Sequence, residues 1–309
     1  MTAAREFRSG FVSLVGRPNT GKSTLVNALV GRKIAAVTPH PQTTRTHLLG
    51  IVSRPEGQIV LVDTPGAHRG RGPLARALLR SLRAGLEGRD LALFLVDAHR
   101  AWGAEDEMAL DLLRGPADAP ALPVFLVLNK VDLLPSPEAA LPILERLRAQ
   151  YAFAEAIVIS ALKQRNLDRL TQLMWERMPV GEPYFPAGQT TDQPERFWIS
   201  EVIREQAMLL TREEVPHALA VRIEGDRQRA RAAGPLRLIQ AALVCERPGQ
   251  KAILVGKGGE MIRRIGIESR RQLEAELGVA VHLELYVVVR AEWRENPRAI
   301  AGLDFRQEG

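Results

Sequence analysis

The residues Gly16-Arg17-Pro18-Asn19-Thr20-Gly21-Lys22-Ser23 satisfy the pattern GxxxxGK(S/T), and Thr24-Leu25-Val26-Asn27-Ala28-Leu29-Val30 follows with helical character. Glycines let such a loop wrap a phosphate, so that successive backbone N–H groups and a helix N-terminus face the negative charge. Lys22 would then reach the β- and γ-phosphates of a nucleotide, and the Ser23 hydroxyl would ligate Mg²⁺. A second candidate, Asp63-Thr64-Pro65-Gly66, follows an apolar run. Its aspartate suits a second magnesium carboxylate and its Gly66 N–H can meet a γ-phosphate. The third is Asn129-Lys130-Val131-Asp132. An aspartate at its end can accept parallel hydrogen bonds from guanine N1–H and the exocyclic amine; adenine lacks that donor pair and would leave the carboxylate unpaired. Lys130 can lay its stem along the base plane. Ser160-Ala161 is the weakest element, meaningful only in register with the others.

These groups act together only if the fold aligns them. Short apolar runs at Phe11–Val15, Leu48–Val52, Ile59–Val62, Leu91–Val96, Val124–Leu128 and Ala156–Ile159 alternate with segments of helical spacing, such as Leu74, Leu78, Leu82 and Leu86, or Leu141, Leu144 and Leu147. That alternation predicts an α/β domain with a mostly parallel sheet covered on both faces. Each motif then falls at the carboxyl end of a strand, where open α/β sheets bind ligands, and the order of the motifs favours GTP over ATP.

The alternation stops near Met178. Pro179, Gly181, Pro183, Pro186, Gly188 and Pro194 crowd the next stretch, which reads as a linker over 181–195 between a nucleotide domain over 1–180 and a second domain over 196–309. The second domain reads as a helix from about Phe197 to Leu210 and strands around Ala218–Ile223 and Leu236–Cys245. Two short helices then flank Gly256-Lys257-Gly258-Gly259, and a half-buried strand runs from Val281 to Val289. Ile253, Leu254, Ile262 and Ile265 are its expected core positions around the glycine turn. The combination resembles a type II KH domain, a smaller α+β fold whose GxxG turn clamps the backbone of about four unpaired nucleotides. Side chains in that turn would hold phosphates away, hence Gly256, Gly258 and Gly259. Lys257 inside it, Lys251 just upstream in Pro248-Gly249-Gln250-Lys251, and Arg263 complete the RNA-binding candidates.

The first domain resembles the translation-factor-related GTPases. Pro41-Gln42-Thr43-Thr44-Arg45 looks like their first switch, whose threonine closes on Mg²⁺ with GTP bound; Thr44 is the expected residue and Thr43 the alternative. The resemblance thus implies metal ligands Ser23, Thr44 and Asp63, and catalytic roles for Lys22, Thr44, Gly66 and Asn19. The GTP/GDP contacts would run through Gly16 to Thr24, Asp63 to Ala67, Asn129 to Asp132, and Ser160 with Ala161. Ala67 stands where Ras-like enzymes carry a water-orienting glutamine, and a methyl group cannot orient water, so slow intrinsic hydrolysis is expected. Asn19 marks a K⁺ site in related enzymes, against the plain reading that it hydrogen-bonds within the loop.

One such GTPase domain, a short linker and a carboxyl-terminal KH domain together resemble the Era family over nearly the whole chain. That resemblance implies a monomeric ribosome-assembly GTPase whose KH domain grips single-stranded RNA near the 3′ end of small-subunit rRNA. It also implies work on the small ribosomal subunit, no DNA partner, and peripheral association with the inner face of the cell membrane.

Composition supports the broad class. The chain has 309 residues, 46% hydrophobic and 25% charged, which excludes disorder, collagen and membrane bundles. One cysteine, Cys245, excludes an internal disulfide framework and a multi-thiolate zinc site. The amino terminus, Met1-Thr2-Ala3-Ala4-Arg5-Glu6-Phe7, lacks a long apolar run, so a cytosolic protein is expected. Against 42 Lys+Arg stand 36 Asp+Glu, a net +6 that permits a polyanionic partner. Only six of the basic residues are lysines, and Lys22, Lys130 and Lys257 each fall inside a motif. The Arg76, Arg80 and Arg83 face reads as solvated, the histidines lack metal-ligand spacing, and the tryptophans read as packing residues. Three other classes compete: an RNA-binding assembly protein with nucleotide as a structural ligand, a factor with two GTPase domains, and a P-loop kinase. The chain has no second GxxxxGK(S/T), and a kinase has no use for Asn129-Lys130-Val131-Asp132.

Overall fold

The computed structural model describes residues 6–40, 43–44, 47–67, 80, 86–114, 122–232 and 234–293. Pro41, Gln42 and Arg45 lie outside the described residues, as does the expected helix through Leu74, Leu78 and Leu82 with Arg76 and Arg83 on its face. The chain forms two compact units that divide between Asp192 and Gln193, with Ala36–Thr43 belonging to the second.

In the first unit β1 (Arg8–Val15) leads through the glycine loop into α1 (Lys22–Val30). There follow β2 (Leu48–Arg54), β3 (Gly57–Asp63), β4 (Leu91–Asp97), α2 (Ala104–Asp111), β5 (Val124–Asn129), α3 (Ala140–Arg148), β6 (Glu155–Val158) and α4 (Leu167–Arg177). The sheet order is β2-β3-β1-β4-β5-β6, and only β2 runs antiparallel to its neighbour. β3, β4 and β5 are buried along their whole length, which is why they read as continuous apolar runs rather than alternating ones.

The side chains of these strands divide between two cores. Leu14, Leu61, Leu93 and Phe125 pack on one face with Leu25 of α1 and Leu170 of α4. Phe94, Val96, Leu126 and Leu128 pack on the other with Leu110 of α2 and Leu147 of α3. Of the leucines expected to bury α3, Leu147 is buried, Leu144 half-buried and Leu141 59% exposed, so that helix docks through Ala140, Leu144 and Leu147.

The proline-rich stretch after α4 is anchored to the first unit. Ser9 N–H donates to Pro179 O at 3.0 Å, the Ser9 hydroxyl to Glu182 O at 2.6 Å, and Ile51 N–H to Thr190 O at 2.9 Å. Buried Gln58 accepts from the Tyr184 and Phe185 N–H groups, both at 2.9 Å. Prolines leave few backbone donors there, so the start of β1, the edge strand β2 and the Gln58 side chain of β3 supply the partners.

The second unit contains α5 (Glu195–Leu210), α6 (Val215–Ala218), β7 (Ala220–Arg229), β8 (Leu236–Cys245), α7 (Pro248–Val255), α8 (Glu260–Leu277) and β9 (Ala280–Val289). β7 pairs antiparallel with β8, and β8 parallel with β9, the parallel crossover passing through α7 and α8. Ile199, Ile203, Leu243, Leu254, Ile265 and Leu273 make its core. Along β9, Val281 and Val287 are buried while His282, Glu284 and Tyr286 are exposed, as the alternation predicts. Two readings need correction. α8 is not short but 18 residues long. Ile253 is 46% exposed while Leu254 is fully buried, so only Leu254 of that pair is a core residue. Trp198 and Trp293 are buried, and Trp293 Nε1 donates to Ala218 O at 3.0 Å.

Candidate functional site

β1 lies between β3 and β4, and the carboxyl ends of β1, β3, β4 and β5 share one edge of the sheet. The register sets Leu14 opposite Asp63 and Asp97 opposite Asn129. Connections leaving parallel strands at one edge must converge there, which brings together residues over a hundred positions apart.

The glycine loop curls back on itself. Lys22 Nζ donates to the carbonyls of Gly16 and Arg17, both at 3.0 Å, and the Thr20 hydroxyl donates to Arg17 O at 3.1 Å. The hydroxyl of Ser23, the second residue of α1, donates to Asp63 Oδ2 at 2.6 Å and lies 2.8 Å from the Thr44 hydroxyl. Three oxygens from three segments therefore meet at one point. Asp63 Oδ1 is buried with no hydrogen-bond partner among the described residues. Burial pushes the Asp63 carboxyl up to about 6, against the pull of Ser23, Lys22 and Thr44. Burial likewise brings the Lys22 ammonium down to about 8, with the Asp63 charge opposing. Both groups are held where a charged ligand of opposite sign would relieve the desolvation. Hard oxygen donors in this arrangement suit Mg²⁺.

The alternative switch residue, Thr43, is engaged elsewhere. Its hydroxyl donates to His40 O at 2.8 Å and lies 2.6 Å from the Thr38 hydroxyl.

After β3 the Thr64 hydroxyl donates to Leu14 O at 2.6 Å, and a Cβ on Gly66 would lie 2.6 Å from Pro18 N. Only a residue without a side chain lets the two loops approach so closely. Ala67 N–H donates to Gly16 O at 3.1 Å, while its methyl group is buried among Val15, Phe94 and Leu126. The Ala67 side chain thus belongs to the core of the sheet.

At the end of β5, buried Asn129 ties two segments together: Nδ2 donates to Thr20 O at 2.8 Å and Oδ1 accepts from Ala161 N–H at 3.0 Å. Lys130 adopts φ +66°, and its ammonium donates to Asn19 O at 2.5 Å and Asp97 Oδ2 at 2.8 Å. The Ser160 hydroxyl donates to Asp132 Oδ1 at 2.5 Å and accepts Lys163 N–H at 3.1 Å, which aims the carboxylate. Two acids were not expected here. Asp97 could have been found, since it ends the β4 run at the level of Asn129. Asp106 lies in an acidic helical turn that no motif marks; Arg17 Nη1 bonds its Oδ2 at 2.9 Å.

In the second unit the glycine turn joins α7 to α8 with φ +73° at Gly256, +60° at Gly258 and +82° at Gly259. A Cβ on Gly256 would lie 2.8 Å from Met261 N, whereas one on Gly258 or Gly259 would meet nothing within 4 Å. The backbone of the last two therefore faces open space. Lys251, Lys257 and Arg263 are exposed around the turn, and the exposed Ile253 adds an apolar side chain beside them.

Comparison with known proteins agrees with both units. The 50S ribosome-binding GTPase family matches residues 11–130 and the KH domain family matches residues 214–294. GTPase Era of Heliobacterium modesticaldum is 39% identical over 303 residues, covering 98% of this chain and 99% of its own. GTPase Era of Lacticaseibacillus paracasei is 42% identical over 300 residues, 97% of each chain. A crystal structure of Era with MgGDPNP and nucleotides 1506–1542 of 16S ribosomal RNA aligns over 96% of this chain and 98% of its own, at TM-score 0.89 and 36% identity. An Aquifex aeolicus Era variant bound to GDP and AlF4⁻ aligns with the same values.

Proposed function

This chain belongs to the Era family of GTPases, and from that premise we propose that it is a GTP-driven switch acting on the 3′ end of small-subunit rRNA during assembly of the small ribosomal subunit. The observation that carries the nucleotide half is the meeting of Ser23, Thr44 and Asp63 oxygens beside the Lys22 ammonium. The loop N–H groups from Gly16 to Thr24 and the start of α1 hold the phosphates. Lys22 exchanges its carbonyl partners for β- and γ-phosphate oxygens. Ser23, Thr44 and Asp63 hold Mg²⁺, which when bound neutralises charge developing on the phosphates. The Gly66 N–H contacts the γ-phosphate, with Thr64, Pro65 and Ala67 shaping the turn.

Guanine selectivity rests on Asp132, with Asn129, Lys130, Val131, Ser160 and Ala161 framing the base. Hydrolysis is slow without help because the buried Ala67 methyl leaves no side chain there to orient water. Asn19 supports a K⁺ that partly replaces an arginine finger; equal hydrolysis rates in KCl and NaCl would remove that element.

The second half is RNA binding. Gly256, Gly258 and Gly259 let a single strand approach, with Lys251, Lys257 and Arg263 on its phosphates. The functional division runs 1–180, linker 181–195 and 196–309. The protein works as a cytoplasmic monomer that can associate peripherally with the inner membrane face; among the described residues no helix is long and apolar enough to cross a membrane.

The test is competitive binding of labelled GTP together with binding of an rRNA-tail oligonucleotide. GDP should compete and ATP should not, and GTP should change the RNA affinity. RNA binding indifferent to nucleotide and to Lys22→Ala would favour an RNA-binding protein with nucleotide as a structural ligand.

A further inference from the structure

Arg17 lies inside the phosphate loop, where a cation would be expected to face phosphate. Its guanidinium instead points to α2. Nη1 donates to Asp106 Oδ2 at 2.9 Å and to Ala101 O at 3.1 Å, and the Asp106 side chain is 1% exposed. Asp106 Oδ2 also accepts Gly103 N–H at 3.0 Å, so one carboxylate oxygen fixes both the first turn of α2 and the loop. Arg17 Nε and Nη2 and Asp106 Oδ1 are buried with no hydrogen-bond partner among the described residues.

A buried pair so incompletely satisfied is a poor device for stability, because desolvation offsets most of its attraction. Its position offers another use. The Arg17 peptide carbonyl is the shared acceptor for Lys22 Nζ and the Thr20 hydroxyl, so the loop closes on the residue whose side chain is tied to α2. Pro18, the next residue of the loop, is backed by Gly66, where a Cβ would lie 2.6 Å from Pro18 N.

We propose that the Arg17–Asp106 pair is a positioning strut of the nucleotide site, holding the Arg17 carbonyl and through it the loop conformation that receives phosphate. The inference rests on the nucleotide reading above. Neither residue touches substrate through its side chain, and Arg17 is not an arginine finger. Loss of the strut loosens the phosphate cradle for GDP and GTP alike. The base contacts at Asp132 stay as they were, and Asp106→Asn, outside the nucleotide contacts, leaves hydrolysis of nucleotide already bound within about threefold.

The experiment compares the full-length protein with Asp106→Asn, Arg17→Lys, Arg17→Ala, Asp106→Ala and the Arg17→Ala/Asp106→Ala double variant. Fluorescent GDP and GTP affinities, single-turnover hydrolysis, thermal melting and the ³¹P spectrum of bound GDP are measured for each. Asp106→Asn, nearly isosteric, should weaken both nucleotides about tenfold with single-turnover hydrolysis within about threefold and a shifted β-phosphate resonance. Arg17→Lys keeps the charge and should recover part of the affinity lost in Arg17→Ala. The double variant should lose no more than Arg17→Ala alone, because one interaction is removed. Affinities within about twofold of wild type despite a lower melting temperature would overturn the strut, as would additive losses in the double variant. If wild type itself binds no GTP, the nucleotide reading fails and takes the strut with it.

Discussion

A Cβ on Gly21 would lie 2.3 Å from Asn129 Nδ2, while that same amide donates to Thr20 O at 2.8 Å. The glycine loop and the end of β5 are thus a single packed element, although 108 positions separate the two residues (129 − 21). Gly21 also holds φ +96° at the start of α1.

Gly21→Ala must therefore displace Asn129 as well as strain the backbone, by about 1–2 kcal/mol for the left-handed conformation alone. GTP affinity should fall by at least about tenfold, and Ala161, whose N–H rests on Asn129 Oδ1, should show faster amide exchange. Unchanged exchange at Ala161 would separate the two elements.

The two switch threonines should differ. Thr44→Ala removes an oxygen from the Ser23–Asp63 cluster, and the preference for GTP over GDP should drop by about tenfold in the presence of Mg²⁺. Thr43→Ala only breaks hydroxyl contacts to Thr38 and His40, and should leave that preference intact. Titration of both variants with fluorescent GTP and GDP checks the assignment, and a larger loss in Thr43→Ala reverses it.

Lys257 lies beside open backbone at Gly258. Lys257→Ala should lower affinity for a single-stranded rRNA-tail oligonucleotide and reduce the slope of log K against log salt by about 0.7, one phosphate contact on a single strand. Fluorescence anisotropy over a salt series measures it; an unchanged slope would place the phosphate contact elsewhere. GTP binding should be unaffected.

Cys245 is 1% exposed at the end of β8, and burial pushes its thiol above the ordinary range. Labelling by a thiol reagent should be slower in the folded protein than in urea by about 10³-fold or more, tracking unfolding of the second unit. Labelling at the denatured rate under native conditions would contradict the packing.

Much of this was legible in the residues because the signals are local and steric. A buried parallel strand must be apolar throughout, so β3, β4 and β5 announce themselves, and a loop around phosphate needs glycines at fixed offsets. What escaped depends on contacts distant in sequence. Asp106 resembles any acid in the first turn of a helix until Arg17 meets it. Ile253 and Leu254 are equally apolar neighbours, and only the seating of α7 decides which is buried. The four-residue α6 is too short for periodicity to mark. The preference for Thr44 over Thr43 comes from the family resemblance and not from composition, and the two hydroxyls have different partners in the fold.

In the proposed function Asp132 reads guanine, and that reading is coupled to bound phosphate. Its most direct test is the affinity of wild type and Asp132→Asn for GTP and for xanthosine triphosphate, which carries a carbonyl where guanine has its amine. An asparagine amide complements that carbonyl and repels the amine. Asp132→Asn should weaken GTP by about 100-fold or more and strengthen xanthosine triphosphate in turn. Equal GTP affinity in the two proteins would contradict the account.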